Sequence, residues 1–485
     1  MISDSRLASV VDFCLFNRCL ALQHFPAPWK LAEVAMIVKT GKRDKSSPRA
    51  WRPIGLLSCI SKGLERIVAN RIAWTALSTG LLSPQHGGAL PKRSGMDLAA
   101  SLTHDIETAL AAKKQVTIVT LDVQGAFDAV LTQRLLKRMT EQGWPLPLLR
   151  LIKSFLTERR VQVRLEKETT DPSFVECGTP QGSPLSPILY TLYLAELLNQ
   201  DRTLRFGYAD DILIYRASHD LDDNVAQLAN DVRAIFEWGD EHKIAFAPGK
   251  IEMIHITTKN GGYAPPIVVD DRITIPCIVT ARDGEQPALR WLGVWFDRKL
   301  SFKRHVGERA GKARLVAQHI RNLGRVANGP PASALRKAVV TCVLPSALFG
   351  TEAWYAGRTK PCQKSVRPAT VSTRLGGHID LIHKTIALAA RGVLPVWRTT
   401  PTATLIRDAG LPSAFAALEE AKARFAMRLQ TVDDQHPLVQ RIPIPMIRRG
   451  RGAGTRMIAK TKIQRLGKLL LCFWRCSSPR EVHPP

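Results

Sequence analysis

The chain has 485 residues, enough for roughly three domains at ~150 residues each, and 45% of them are apolar, so a sizeable core can be buried and wholesale disorder is disfavoured. Lys and Arg total 69 against 42 Asp and Glu. The net charge of +27 sets aside an ordinary neutral metabolic enzyme and asks for a polyanionic partner, nucleic acid before an anionic membrane surface.

The predicted elements begin with Leu7 to Leu22, an apolar run broken by Asp12 and Arg18 that predicts an amphipathic helix. Asp4 precedes it and no small-residue cleavage site follows, which argues against a secretory signal. Lys39 to Arg52 is polar, basic and turn-rich, the pattern of an exposed loop. Ser94 and Asp97 form a capping box ahead of a helix carrying Leu98, Leu102, Ile106 and Leu110 on one face. Val116 to Val123 is β-branched and almost wholly apolar, as in a central strand covered on both faces, with Asp122 near its end.

Helices follow around Thr132–Glu141 and Leu148–Glu158, then an alternating Val161, Val163, Leu165 that predicts an edge strand. A helix with a Pro-rich start covers Pro184 to Asn199. Leu204–Tyr208 and Ile212–Tyr215 are strands separated by Ala209, Asp210 and Asp211. Asp220 caps a helix with Leu221, Val225, Leu228, Val232 and Ile235 on one face, and Ile251–Ile256 and Trp291–Phe296 are strand-like. Beyond ~300 the pattern is helical and basic, and Arg441 to Pro485 carries eleven Lys or Arg against Glu481 alone. No stretch reaches ~18 apolar residues, so a membrane span is not expected. Nine cysteines include no CxxC, and neither Cys14/Cys19 nor Cys472/Cys476 has a His at zinc-ligand spacing, which favours a reduced compartment.

FGYADDILIY sets two adjacent carboxylates between apolar strands. Alone this is as easily a solvated Asp-rich turn. Asp122, a third acid at the end of a buried strand, changes the balance. If that strand lies beside the hairpin, three carboxylates converge, and such a cluster is stable only with cations between them. Two Mg²⁺ ions about 3.5–4 Å apart are the device for in-line phosphoryl or nucleotidyl transfer.

LDVQGAFDAV, GTPQGSPLSPILY, FGYADDILIY, PGKIEMIHI and WLGVWFD, in that order, resemble the motif series of reverse transcriptases, and specifically of non-LTR, LINE-type elements of the fungal kind. WKLAEVAMIVKTGK and WRPIGLLSCISKGLERIVANRI resemble the fingers of that group, so the resemblance runs from Trp29 to Val306. It implies an α/β (α+β) right-hand polymerase: an N-terminal helix over 1–23, fingers and palm over 24–297, a helical thumb over 298–395 and a basic C-terminal region over 396–485. Asp122, Asp210 and Asp211 then resemble the catalytic acids, and with the Val123 carbonyl they would hold two Mg²⁺, or Mn²⁺, ions. Phe127 resembles the steric gate against a ribose 2′-hydroxyl, although an ordinary core Phe has the same sequence signature. Gln181 and Gly182 resemble nucleotide contacts, where a Pro/Gly helix start is the plain alternative. Lys39 and Arg52 resemble the triphosphate clamp, Lys250 the general acid for pyrophosphate, and Trp291, Leu292 and Gly293 the primer grip.

The resemblance implies RNA as template, DNA as primer or target, dNTPs as substrates and no membrane partner. The nucleus or cytoplasm is the expected compartment, with the mitochondrion as an alternative. LINE-type elements usually carry an endonuclease needing ~200 or more residues upstream, and about 28 precede the fingers here, so the expected nuclease comes from another chain. Two other classes fit the same residues: a non-catalytic remnant that binds RNA or RNA–DNA hybrid, and an organellar intron-encoded transcriptase.

Overall fold

The structure is a computed structural model that describes residues 4–38, 44, 46–47, 50–165, 168–279, 286–324, 328–361, 370–442 and 461–466. Its first elements, in chain order, are α1 (Asp4–Leu22), β1 (Leu31–Val38), β2 (Trp51–Leu56), α2 (Cys59–Ser78), β3 (His86–Gly87), α3 (Gly95–Ala111), β4 (Gln115–Asp122), α4 (Thr132–Glu141), α5 (Leu146–Leu156), β5 (Arg159–Leu165), β6 (Glu168–Thr169), β7 (Ser173–Val175), α6 (Ser186–Asn199), β8 (Arg205–Tyr208), β9 (Asp211–Ser218), α7 (Leu221–His242) and β10 (Glu252–Ile256). The chain divides into two compact units. One comprises Met1–Arg93, Thr120–Ile214 and Ala229–Ile251, the other Ser94–Val119, Tyr215–Leu228 and Glu252–Pro485. These units cut across the boundaries expected at 297 and 395. No described helix is long and apolar enough to cross a membrane.

In the first unit one sheet has the order β2-β1-β5-β6, with β7 also on β5. β1 is antiparallel to β2, with Ile37 opposite Arg52, and parallel to β5. β5 is therefore an interior strand and not the expected edge; its alternation records one uncovered face, which an interior strand shares with an edge strand. The second sheet sets β4, β9, β8 and β3 side by side. Val116, Ile118 and Val119 of β4, which fall in the second unit, are fully buried, as the apolar run predicts for a central strand. α6 is apolar all round and buried on nearly every side, as expected of a helix inside a core.

In the second unit α3 carries the expected capping box: the Ser94 hydroxyl accepts from the Asp97 amide at 3.3 Å, and the Ser94 amide donates to Asp97 Oδ2 at 2.8 Å. Leu98, Leu102 and Ile106 of the expected face are fully buried, and Leu110 at its end is half-buried. Asp97 is fully buried too, and Arg428 from the helix Ala414–Leu429 donates to both of its oxygens. Helices Lys303–Leu323 and Gly376–Val393 belong to the same unit. Trp291–Phe296 is not one strand. Ala288–Trp291 and Val294–Asp297 form a hairpin, turning at Leu292 (φ +47) and Gly293 (φ +79). The described part of the basic end is not a free arm: Ile463 and Leu466 are 1% exposed and pack with Ala100, Phe425, Leu429 and Leu438.

Candidate active site

Everything that bears on the acidic pair lies in the first unit. β8 and β9 are joined by Ala209 and Asp210, with Tyr208 paired to Asp211. Ala209 has φ +54, a left-handed conformation that costs an L-residue about 1–2 kcal/mol. Gly88, at φ +77, lies against this tip, where a Cβ would come within 3.1 Å of the Ala209 nitrogen. The strained tip is thus held by a neighbour whose lack of a side chain permits the approach.

β4 brings Asp122 to the same place. The Val123 amide donates to the Asp210 carbonyl at 3.3 Å. Gln124 donates to the Ala245 carbonyl at 2.8 Å, and Ala247 to the Asp122 carbonyl at 3.1 Å. These backbone bonds stitch the end of β4 to the hairpin on one side and to the segment before Lys250 on the other. They bring the Lys250 ammonium onto Asp122 Oδ2 as an ion pair. Asp210 is exposed at the hairpin tip, yet its carboxyl is pushed up. The main cause is the water excluded by the surrounding protein, and the Asp122 charge adds to it, while the Asp210 backbone hydrogen bond, Lys250 and Arg52 act the other way. Asp122, Asp210, Lys250 and Arg52 therefore share one electrostatic neighbourhood.

Asp211 behaves differently. It opens β9 directly after the two-residue link and is half-buried, where Asp210 is exposed. Among the described residues no three His, Cys, Asp or Glu side chains gather closely enough to hold a metal ion. The Asp122 charge acts on Asp210, and Asp211 stands directly beside Asp210 at the start of β9.

Phe127 is half-buried in the turn after β4. Its carbonyl accepts from the Thr179 amide at 2.7 Å, and its ring lies 5.5 Å from that of Tyr190. Asp128 does not cap α4, whose N-cap is Leu131. Gln181 and Gly182 sit in the turn before α6, where the backbone at Gly182 comes close to Gly55 of β2. The Gly55 amide donates to the Gln181 carbonyl at 2.8 Å, and a Cβ on Gly182 would stand 2.4 Å from the Gly55 carbonyl oxygen. Ser183 accepts from the amides of Leu185 and Ser186 at 3.0 and 3.3 Å and donates to the buried Glu65, which also accepts from Ser61 at 2.8 Å. Lys39 lies outside the described residues. Trp291 belongs to the second unit and is 2% exposed, while the turn residues Leu292 and Gly293 are half-buried.

Tyr190 was missed in the sequence. Its hydroxyl is buried with no hydrogen-bond partner among the described residues. Its phenol is raised well above the usual range, by burial first and then by the charges of Asp210 and Asp122. It lies in a helix rich in Leu, where an aromatic residue has the pattern of core. Its signal is that a buried phenol needs a partner for its hydroxyl.

Residues 39–296 match the family described as reverse transcriptase (RNA-dependent DNA polymerase). Among curated proteins the chain is 29% identical over 349 residues to the probable RNA-directed DNA polymerase from transposon BS of Drosophila melanogaster, covering 70% of this chain and 37% of that one. It is 28% identical over 427 residues to the probable RNA-directed DNA polymerase from transposon X-element of the same organism, covering 86% and 43%. It is 30% identical over 301 residues to the RNA-directed DNA polymerase from mobile element jockey of Drosophila funebris, covering 60% and 31%. The chain spans less than half the length of each of these relatives. They come from insects, and the fungal affiliation finds no support in them.

Proposed function

The chain belongs to the reverse transcriptase (RNA-dependent DNA polymerase) family, and on that premise we propose that it extends the 3′-hydroxyl of a DNA primer along an RNA template, as part of a non-LTR, LINE-type element. The observation that carries the reading is the shared electrostatic neighbourhood of Asp122, at the end of β4, and Asp210, in the link between β8 and β9, beside Lys250 and Arg52. Two carboxylates facing one another raise the cost of ionising both, and hard oxygen donors of this kind fit Mg²⁺. Asp122, Asp210 and the Val123 carbonyl are the residues that would hold it, with Asp211 a weaker candidate. Bound there, the metal supplies activation of the primer hydroxyl and neutralisation of the triphosphate.

The chain's own residues do the rest. Lys250 neutralises Asp122, and with a dNTP bound it would donate a proton to the departing pyrophosphate. Arg52, held in register by β1, offers a planar fork to phosphate oxygens. Phe127, backed by Tyr190, fills the space a ribose 2′-hydroxyl would need, and Gln181 is anchored through its carbonyl to Gly55. The nick that supplies the primer would come from a nuclease on another segment or chain. The test is primer extension on an RNA template with Mg²⁺, beside Asp122→Asn and Asp210→Asn. Both variants should retain hybrid binding and lose extension by orders of magnitude. Extension by Asp210→Asn at the parental rate would refute the assignment, and hybrid binding with no extension by the parent would make the chain a non-catalytic remnant.

A further inference from the structure

In the second unit, away from the acidic pair in sequence, a concave surface of about 630 Å³ is lined by Arg321, Gly324, Arg391, Pro395, Val396 and Arg398. Three arginines line one hollow, and among the described residues none of them forms an ion pair with a carboxylate. The hollow is built by two helices in close contact. A Cβ on Gly392 would lie 3.1 Å from Arg321 Cα, and one on Gly324 would lie 2.8 Å from the Gly392 carbonyl oxygen. This contact, which two glycines permit, sets Arg321 at the end of one helix beside Arg391 at the end of the other. The Arg391 guanidinium then donates to the Arg398 carbonyl at 3.4 Å, fixing the segment that follows. Between Val396 and Arg398 stands Trp397, whose side chain is 85% exposed, the most exposed large apolar residue described.

Like charges gathered in a concavity repel, and a fold retains such an arrangement at a cost unless an anion compensates it. The chain's own end is a poor source of that anion: after Asp434 the only acid is Glu481. A bare Trp beside a guanidinium cluster combines the two elements that hold an unpaired nucleotide, phosphate contacts from Arg and a stacking face for the base. A duplex would satisfy the arginines and leave the ring without a partner, because its bases are already stacked.

We propose that Arg321, Arg391, Arg398 and Trp397 form a binding site for single-stranded nucleic acid, in which the arginines grip consecutive phosphates and Trp397 stacks on a base. The site does not rest on the polymerase reading, since neither the acidic pair nor its motifs enter the argument. It is distinguished from general adhesion of a basic chain by the ring, so the test reads the ring.

The full chain is irradiated with a single-stranded RNA of about six nucleotides bearing 5-iodouridine, a base that crosslinks to stacked aromatic rings, and the adducts are mapped by mass spectrometry. The peptide containing Trp397 should carry the adduct. Trp397→Phe should keep occupancy of the site and Trp397→Ala should weaken it by about 5- to 150-fold, the range for loss of one stacked base. Arg391→Gln with Arg398→Gln, which keeps the ring, should lower the crosslink yield and flatten its dependence on log salt by about 1.4 units, at roughly 0.7 per phosphate contact. Single-stranded DNA and duplex arms run in parallel: equal adduct with DNA assigns the site to single strands of either sugar, and a duplex should give none. No adduct at Trp397, or an adduct indifferent to the arginine substitutions, overturns the proposal. So does Trp397-dependent binding of phosphatidylserine vesicles without any RNA adduct, which would make the patch a membrane contact.

Discussion

Replacing Gly182 with Ala tests the geometry that places Gln181. The backbone there has φ +118, well into the region that L-residues avoid, and the added Cβ would stand 2.4 Å from the Gly55 carbonyl oxygen. Strain at such a position costs about 1–3 kcal/mol, and forcing a group into a packed contact a further 1–3 kcal/mol. The obstacle is backbone, which cannot rotate away as a side chain can, so the two terms should largely add and the expected loss is roughly 2–6 kcal/mol. In a unit of about 200 residues that lowers Tm by roughly 5–20 °C. Gly80→Ala is the control: Gly80 has φ +65 with nothing within 4 Å of the added Cβ, so it carries the strain alone, about 1–2 kcal/mol. Gly55→Ala approaches the same contact from the other side, 2.9 Å from the Gln181 carbonyl oxygen, and should also destabilise more than the control. The assay is urea unfolding of each variant, with the dNTP KM of any that remain folded, which should rise as Gln181 is displaced. A Gly182→Ala loss no larger than that of Gly80→Ala would refute the interlock.

Three further outcomes follow from the acidic pair. Because the Asp210 carboxyl is raised in the folded chain, its ionised form costs stability at neutral pH; Asp210→Asn should therefore unfold at equal or higher denaturant than the parent at pH 7, with the difference fading as pH falls below the unfolded carboxyl value near ~3.9, checked by paired denaturation curves. Lys250→Met removes the cation that competes with metal for Asp122, so Mg²⁺ titrations of primer extension should show an unchanged or lower half-saturating concentration together with a reduced kcat. Phe127→Val should raise ribonucleotide over deoxynucleotide kcat/KM, and an unchanged ratio would leave Phe127 as a packing residue against Tyr190.

What the sequence made legible is local. The capping box at Ser94 and Asp97 spans four residues, the apolar run into Asp122 is continuous, and the two-residue link at Asp210 is set by its flanking strands. What it hid depends on distant partners. Lys250 meets Asp122 across 128 positions, a contact suggested only by the order of motifs. Gly55 and Gly182 each announce a backbone need without saying that the other meets it. The alternation of Val161 and Val163 reports one uncovered face but not the neighbours on either side, which is why β5 was misplaced at an edge. Asp210 and Asp211 are adjacent in the motif, yet one belongs to the link and the other opens β9, a boundary that the sequence does not mark.

The net charge of +27 shows how far composition can mislead about location, and the basic end is where this is testable. Eleven basic residues from Arg441 onward suggest an arm reaching for phosphates. Yet Arg441 is bound to Asp105 at 2.6 Å, Lys462 to Glu107 at 3.1 Å, and Arg465 is buried enough for its guanidinium to be lowered. These charges are committed to acids of α3 or withdrawn from solvent. The same stretch places Ile463 and Leu466 in the core of the second unit. Burial of such side chains is worth about 1.5–3 kcal/mol each, so truncation before Ile463 should destabilise that unit by about 3–6 kcal/mol, whatever the end does to nucleic acid. A weakened, salt-insensitive truncation would therefore be a folding defect mistaken for a lost contact. Lys462→Gln with Arg441→Gln keeps the core, and it should leave the salt slope of RNA binding unchanged within about one unit, because neither charge is free to displace a counterion. A slope flattened by two contacts, about 1.4 units, would show that both side chains leave their carboxylates when RNA binds and would refute this division of the charge.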